Sequence, residues 1–190
     1  MSVRRRTPAG AQRGLERLWA PWRMAYLDQV REPKDCLFCR VARTRDDRQS
    51  LVLARRPAAF LMLNRYPYTG GHLMVAVREH HATFSRLTDG ERTDLLDLVG
   101  LAERALEAEY QPHGMNFGVN IGRVAGAGFP GHLHLHAVPR WDGDTNFMAT
   151  VGETRVLPES LARTWARLRR AIRSLESGAG ARRGRRGPPR

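Results

Sequence analysis

The sequence predicts an α+β fold in which a mainly antiparallel sheet of five strands accompanies one long helix and a C-terminal helix. Three observations support this prediction: short apolar segments bounded by turn residues, a capping signal followed by a helical apolar period, and a strand that follows the long helix. The strands are expected at residues 51–54, 58–64, 72–77, 115–121 and 132–138. One long helix between early and late strands is typical of an antiparallel sheet packed against that helix.

The long helix begins with a capping box. Thr88 and Glu91 place a hydroxyl and a carboxylate three residues apart, where both can satisfy free amides in the first turn. The helix is expected to continue to about Tyr110. Its predicted apolar face consists of Leu95, Leu98, Val99, Ala102, Ala105 and Leu106.

A second helix is expected to begin at Pro158, because proline is favoured in the first helical turn. The residues that follow repeat an apolar side chain every three or four positions, which predicts one buried stripe. This stripe consists of Leu161, Trp165, Leu168, Ile172 and Leu175.

Positive charge is concentrated at the two ends of the chain. The 190 residues carry a formal net charge of +13, with four arginines in residues 1–15, five in residues 178–190, and no acidic residue in either segment. Such segments cannot form a packed core. We therefore expect disordered tails at 1–14 and 177–190 around one domain at 15–176. Basic tails contact nucleic acid weakly and non-specifically, although a solvated tail is the simpler interpretation.

Membrane and secretion signals are not evident in the sequence. No apolar run reaches the roughly 18 residues of a membrane span, and the arginine-rich N-terminus lacks the apolar stretch of a signal peptide. The chain contains two cysteines, at positions 36 and 39. These features predict a cytoplasmic protein with reduced thiols.

The most informative segment is the predicted last strand, in which His132, His134 and His136 alternate with apolar residues. Alternate residues of a strand project to the same face, about 6.6 Å apart, so three imidazoles are expected to line one surface. Two chemistries use such a surface. Imidazole is the commonest metal ligand, and histidine also acts as a nucleophile that forms covalent intermediates.

Two upstream segments add polar groups that suit a phosphate-containing ligand. Asn64 ends an apolar strand before a turn, which predicts either a ligand contact or a turn-capping side chain. Asn120 precedes a glycine-rich loop that leads to the histidines. Glycines allow backbone amides to approach phosphate oxygens closely.

The pattern from His132 to Val138, preceded by these two segments in this order, resembles the histidine-triad (HIT) superfamily of nucleotide hydrolases and transferases. The resemblance implies the HIT-like fold and a homodimer, because members of the family usually dimerise. It also implies that His134 is the nucleophile and that His136 contacts phosphate and the leaving oxygen. By the same resemblance Asn64 binds the ribose hydroxyls and Asn120 lies near phosphate.

One subgroup, the bacterial diadenosine-tetraphosphate phosphorylases, resembles the chain over residues 15–165. The resemblance rests on the N-terminal segment 15–27 and on the segment 139–147 that follows the triad. Gly128 and Phe129 stand where many family members carry Gln and Ser, so backbone amides are expected to contact phosphate there. No magnesium motif is visible.

Cys36 and Cys39 form a Cys-x-x-Cys pair of the type that binds tetrahedral zinc, which needs two further ligands. Several zinc-bearing HIT proteins resemble the chain here, and the resemblance supplies His80 and His132 as those ligands. Two buried free thiols or a redox dithiol are the alternatives. Zinc is thus the expected cofactor, and no organic cofactor is expected.

The resemblance also implies a pocket for the purine base. The residues implied are Leu37, Phe38, Val41, Met62 and Leu63, each of which would otherwise be assigned to the core.

The sequence therefore predicts a nucleotidyl transferase that cleaves diadenosine tetraphosphate at the α-phosphorus through an adenylyl-histidine intermediate, with inorganic phosphate as acceptor. A HIT hydrolase of dinucleoside polyphosphates or nucleoside phosphoramidates is the alternative within the family. A non-catalytic protein that binds nucleotides or nucleic acid is the alternative of another class.

Overall fold

The computed structural model describes residues 36–144 and 159–183 of the chain. Its elements follow in the order helix α1 (Leu37–Arg43), strands β1 (Val52–Arg55), β2 (Ala59–Leu63) and β3 (Leu73–Val77), a 3-10 helix (Phe84–Arg86), helix α2 (Asp89–Tyr110), strands β4 (Gly114–Val119) and β5 (His134–Arg140), and helix α3 (Leu161–Arg183).

The strands form one sheet in the order β1-β2-β3-β5-β4, and every neighbouring pair is antiparallel. The predicted α+β class with a five-stranded antiparallel sheet is confirmed. Each predicted strand lies within two residues of the observed one at both ends. Strand β5 is central to the site because it is paired on both sides, with β3 and with β4.

The last strand begins two residues later than its apolar alternation predicts. His132 and Leu133 precede β5, because the amide of Leu133 donates to the carbonyl oxygen of His81 (2.6 Å) in the loop after β3. The strand then continues through Pro139, which pairs with Met115 of β4. Proline is tolerated there because it lies beyond the last residue pair between β3 and β5.

Helix α2 has the predicted capping box. The amide of Glu91 donates to Oγ1 of Thr88 (3.3 Å), and the amide of Thr88 donates to Oε2 of Glu91 (2.8 Å). The helix ends before Gln111, whose left-handed φ of 45° stops the helical turn. Five of the six predicted face residues are buried, and Val99 is partly buried against the same core.

Helix α3 packs its predicted apolar stripe on the same core, with Leu168 and Ile172 fully buried. Two of its polar groups reach the outer edge of the sheet, where Nε1 of Trp165 donates to the carbonyl of Val52 (2.8 Å) and Arg169 donates to the carbonyl of Leu53. The helix begins at Leu161, and the predicted start at Pro158 lies outside the described residues.

The C-terminal end of helix α3 differs from the predicted domain boundary. The helix continues to Arg183, so residues 177–183 are helical where we expect a disordered tail. An established helix adds each further residue at little cost, which explains how a segment with no apolar stripe extends it. The predicted N-terminal tail at 1–14 lies outside the described residues.

The sheet separates two groups of buried side chains. The helix-side core lies between the sheet and helices α2 and α3, and it includes Leu61, Leu63, Val75 and Leu98. The α1-side cluster lies on the opposite face, under the short helix α1. It consists of Cys36, Phe38, Val41, Ala42, Val52, Phe60, Met62, Met74 and Ala76.

Among the described helices, none combines the length and the apolar character needed to cross a bilayer.

The helix-side core predicts unequal roles for two leucines of α2. Leu98 is 0% exposed and Leu96 is 66% exposed. Leu98→Ala is expected to lower the free energy of unfolding by about 2–5 kcal/mol, since it removes buried methyl groups and leaves a cavity. Leu96→Ala, the matched control, is expected to change it by less than about 0.5 kcal/mol. Urea unfolding followed by circular dichroism measures both, and equal effects would contradict the assigned core.

Candidate functional site

Strand alternation places the second and third histidines of the triad on the face of the sheet that carries α1. His134 pairs with Ala76 and His136 pairs with Met74, and both of these partners belong to the α1-side cluster. Leu135 and Ala137, between and beyond them, face the helix-side core. The sequence-predicted face is therefore present for His134 and His136.

The ring of His134 is buried and held from two sides. Its Nδ1 lies 2.8 Å from the carbonyl oxygen of His132, and its ring stacks on Phe38 with centroids 4.5 Å apart. A carbonyl only accepts hydrogen bonds, so Nδ1 carries the proton and Nε2 keeps its lone pair. Burial lowers the pKa of His134, and the carbonyl of His132 opposes this effect. The ring is therefore a neutral imidazole with a free Nε2 at neutral pH.

His136 contacts a fourth histidine to which the sequence analysis assigns no role. Nε2 of His72 lies 2.9 Å from Nδ1 of His136, and His72 is fully buried. The ring of Tyr68 covers this pair, with its centroid 4.6 Å from that of His72. One signal in the sequence marks His72: it is a histidine within an otherwise apolar strand segment, directly after a Gly-Gly turn.

The first histidine of the triad also contacts Phe38 of the α1-side cluster, and its ring reaches a group of sulfur and nitrogen atoms. Nδ1 of His132 lies 3.4 Å from Sγ of Cys36 and 3.5 Å from Sγ of Cys39. Nδ1 of His80 lies 3.2 Å from Sγ of Cys39. The four predicted metal ligands therefore lie together, with all ligand atoms within 4.8 Å of one another.

This cluster has the dimensions of a tetrahedral metal site. Ligand bonds of about 2.3 Å to sulfur and 2.1 Å to nitrogen put neighbouring ligand atoms roughly 3.6 Å apart, which is close to the observed distances. Nε2 of His132 lies 2.9 Å from the carbonyl oxygen of Val77, so Nε2 carries the proton and Nδ1 is left free to bind a metal. The residues fit one zinc ion.

The protonation of the cluster without a metal follows from its burial. Burial lowers the pKa of His132 to about 4, so this ring is neutral at physiological pH. Burial, together with the neighbouring thiol of Cys36, raises the pKa of Cys39 to about 11. A bound metal must therefore displace a proton from Cys39.

Asn64 lies beside the fourth histidine at the end of β2. Its Oδ1 accepts the amide of Tyr66 (2.9 Å), which is a turn-capping bond, and its Nδ2 lies 3.4 Å from Nδ1 of His72. The turn-capping interpretation is therefore confirmed, and the side chain also lies next to His72. Its contact with ribose stays a prediction.

The glycine-rich loop lies at the end of β4, beside the triad strand. Gly118 pairs with His136, and Nδ2 of Asn120 donates to the carbonyl of Gly126 (3.4 Å), which braces the loop. Gly126 has a φ of 86°, a left-handed conformation that glycine adopts without strain. Phosphate contacts by Asn120 and Gly128 stay predictions.

The residues predicted for the base pocket separate into two groups. Phe38, Val41 and Met62 are buried in the α1-side cluster, and Leu37 is partly buried against it. Leu63 is a correction, because its side chain belongs to the helix-side core on the opposite face of the sheet. Consecutive residues of a strand point to opposite faces, so Met62 and Leu63 cannot line one pocket.

Comparisons with known proteins agree with this geometry. The family model described as HIT domain matches residues 45–143. A protein of Mycobacterium tuberculosis named AP-4-A phosphorylase is 37% identical over 173 residues, which covers 83% of this chain and 88% of the relative. An adenosine 5'-monophosphoramidase of Schizosaccharomyces pombe is 30% identical over 105 residues, 55% of this chain and 74% of the relative.

Solved structures share the fold. A zinc-bound histidine triad family protein from Mycobacterium smegmatis superimposes with a TM-score of 0.60 at 23% identity, covering 76% of this chain and 98% of that one. The resemblance inferred from the triad is thereby confirmed, and the chain belongs to the HIT family.

Proposed function

We propose that this HIT-family enzyme is a nucleotidyl transferase that cleaves diadenosine tetraphosphate at the α-phosphorus and transfers the adenylyl group to inorganic phosphate. One observation carries the proposal: the bond from Nδ1 of His134 to the carbonyl of His132 leaves Nε2 as an unprotonated nucleophile beside His136. The relative named AP-4-A phosphorylase supports this choice of substrate.

The first step is attack by Nε2 of His134 on the α-phosphorus. The lone pair of Nε2 forms the N–P bond, and the P–O bond to the leaving ATP breaks with its electron pair. The imidazole becomes a cation, whose proton stays on Nδ1 against the carbonyl of His132. That carbonyl stabilises the positive charge as it develops.

In the second step, inorganic phosphate attacks the adenylyl group from the position that the leaving ATP has vacated. An oxygen of inorganic phosphate attacks the adenylyl phosphorus, the N–P bond breaks, and its electron pair returns to Nε2 of His134. The products are ADP and the ATP released before. Water in place of phosphate would give AMP, so the occupant of the acceptor position decides between phosphorylase and hydrolase.

The remaining polar groups are assigned to binding. Asn64 binds the ribose hydroxyls, and Asn120 with the amides of the loop at Gly128 and Phe129 binds phosphate. These loop amides replace the Gln and Ser side chains of other family members. Phosphoryl transfer depends mainly on positioning and on charge stabilisation, which such groups supply.

The proposal predicts the products of a simple incubation. With diadenosine tetraphosphate and inorganic phosphate, the protein is expected to yield equimolar ADP and ATP, separated by ion-exchange chromatography. His134→Ala is expected to lower turnover by at least about 10³-fold, because no other group can form the covalent intermediate.

His113→Ala is the matched control, because this exposed imidazole contacts Asp142 and lies outside the triad. AMP with ATP in the absence of phosphate would replace the phosphorylase by a hydrolase. Turnover that survives His134→Ala would refute the nucleophile, and no turnover would favour a phosphoramidate substrate or a binding role.

We also propose that the four-residue cluster binds one structural zinc ion through Cys36, Cys39, His80 and His132. The donor set and its spacing support this assignment, as does the zinc-bound relative of the same fold. The ion would hold three chain segments together beneath the triad. Adenylyl transfer takes place at His134, and the cluster contributes to it only through the backbone carbonyl of His132.

Zinc analysis of protein purified without chelator is expected to find one zinc ion per chain. His80→Asn is expected to lower zinc affinity by about 10²-fold or more, because it removes a ligand. His81→Asn, at the neighbouring position, is the control: His81 contacts Glu91 (3.3 Å) and lies outside the cluster. Absence of stoichiometric zinc, or equal loss in both variants, would overturn the site.

Finally, we propose that the protein forms a homodimer through strand β4. This strand lies at the end of the sheet, and the side chain of its Phe117 is 39% exposed. Such an edge is a ready surface for pairing.

Light scattering is expected to give a mass near 43 kDa, about twice the 21.5 kDa of the chain. Phe117→Asp is expected to give monomers, and a wild-type monomer would refute the proposal.

A further inference from the structure

The loop that leads into the triad, residues 121–131, is poor in side chains that could hold a water molecule. Its sequence is Ile-Gly-Arg-Val-Ala-Gly-Ala-Gly-Phe-Pro-Gly, so Arg123 supplies its one polar side chain. A guanidinium group donates hydrogen bonds and accepts none. No side chain of this loop can therefore accept a proton from an attacking water.

Backbone hydrogen bonds define the position of this loop. The carbonyl of Gly122 accepts the amide of Ala127 (3.4 Å), and the carbonyl of Phe129 accepts the amide of His132 (3.1 Å). Ala127 is also buried, with 2% of its surface exposed. The loop is thus attached to the start of the triad, and the attachment determines where the side chain of Phe129 lies.

The ring of Phe129 lies one aromatic ring away from the nucleophile. It meets Phe38 edge to face, with centroids 5.5 Å apart and an interplanar angle of 78°, and Phe38 stacks on His134 at 4.5 Å. Phe129 packs partly buried against the α1-side cluster, on the face of the sheet that carries His134. The surface that the loop adds beside the nucleophile is therefore apolar.

Water and inorganic phosphate make different demands on such a surface. Water is a neutral nucleophile, which is oriented and deprotonated through hydrogen bonds to acceptor groups. Inorganic phosphate already carries negative charge, and N–H donors such as backbone amides bind it. A loop that combines amides with an apolar ring, and has no acceptor side chain, therefore favours phosphate.

We propose that Phe129 determines acceptor specificity: its ring leaves water without a hydrogen-bonded position beside the adenylyl-histidine and so directs the adenylyl group to phosphate. This inference rests on the proposed function and deepens it, because it names the side chain that separates phosphorolysis from hydrolysis. The phosphate contact proposed for this residue belongs to its amide, which a side-chain substitution leaves in place.

The two competing reactions start from one intermediate. In hydrolysis, the oxygen of water bonds to the adenylyl phosphorus, the N–P bond breaks, and its electron pair returns to Nε2 of His134. One proton of the water passes to solvent, and the product is AMP. Attack by phosphate gives ADP instead, so the ratio of AMP to ADP measures the choice of acceptor directly.

The test compares Phe129→Thr with Phe129→Val at one fixed phosphate concentration. Both variants lose the ring and have side chains of nearly equal size, but only threonine adds a hydroxyl that can hold a water. The AMP:ADP ratio of Phe129→Thr is expected to exceed that of Phe129→Val about tenfold, the effect of one hydrogen bond. The wild type is expected to have the lowest ratio of the three. In water labelled with 18O, the label is expected in AMP.

Val124→Thr is the matched control, because it adds the same hydroxyl at a fully exposed position of the same loop. It is expected to leave the AMP:ADP ratio unchanged. The ratio is taken per turnover, so a misfolded fraction of a variant does not alter it. Adenosine 5′-phosphoramidate is used as a second adenylyl donor, because the acceptor step is the same with either donor.

A measurement on the wild type alone completes the test. Without phosphate, the adenylyl-enzyme is expected to accumulate, because water attacks it slowly. Intact-protein mass spectrometry after rapid quenching detects this species. An adenylyl-enzyme that does not accumulate would contradict the inference, whatever the variants do.

The remaining outcomes separate the inference from the proposed function. Equal ratios for Phe129→Thr and Phe129→Val, with ADP formed by the wild type, would overturn the role of Phe129 and leave the phosphorylase intact. A wild type that forms only AMP at every phosphate concentration refutes the phosphorylase. The effect of Phe129 on water then remains only if Phe129→Thr hydrolyses the donor about tenfold faster than Phe129→Val. No product from either donor refutes both.

Discussion

The site depends on the hydrogen bond between Nδ1 of His134 and the carbonyl oxygen of His132, two residues earlier in the chain. A strand cannot form this contact from its own regular geometry, because its carbonyls point along the sheet toward neighbouring strands. The contact exists because the chain at His132 has left the strand, with the amide of Leu133 bonded to His81. The irregular start of β5 is therefore the structural basis of the Nδ1–H tautomer of His134.

The same irregularity joins two chemically different sites. His132 turns its ring to the cysteines and its carbonyl to His134, so one residue belongs to both. Any displacement of the four-residue cluster would move that carbonyl and with it the ring of His134. The fully buried Phe38 strengthens this coupling, since it lies against both rings. In this fold the metal cluster and the triad form one packed unit, although their chemistries are separate.

The sequence predicts the regular part of this arrangement well. Alternating and continuous apolar runs identify the five strands, and the Thr88 and Glu91 pair identifies the start of the long helix. The features that the sequence does not predict have physical causes. Helix α1 has seven residues and no cap from a side chain, so it depends on burial of Phe38 rather than on a local signal. The resemblance assigns the consecutive residues Met62 and Leu63 to the base pocket together. Consecutive side chains of a strand point to opposite faces of the sheet, so only one of the two can face the α1 side. The contact between His72 and His136 has no local signal, since only the fold brings these two residues, 64 positions apart, together.

The two outer strands of the sheet end in different ways, and the difference limits how chains can associate. At β1, Trp165 and Arg169 occupy the carbonyls of Val52 and Leu53. At β4, Met115 and Val119 pack their side chains against the helix-side core. Head-to-tail pairing of a β1 edge with a β4 edge would propagate without limit into a fibre. Helix α3 opposes that arrangement, because Trp165 and Arg169 already occupy backbone acceptors of β1 that an added strand would need.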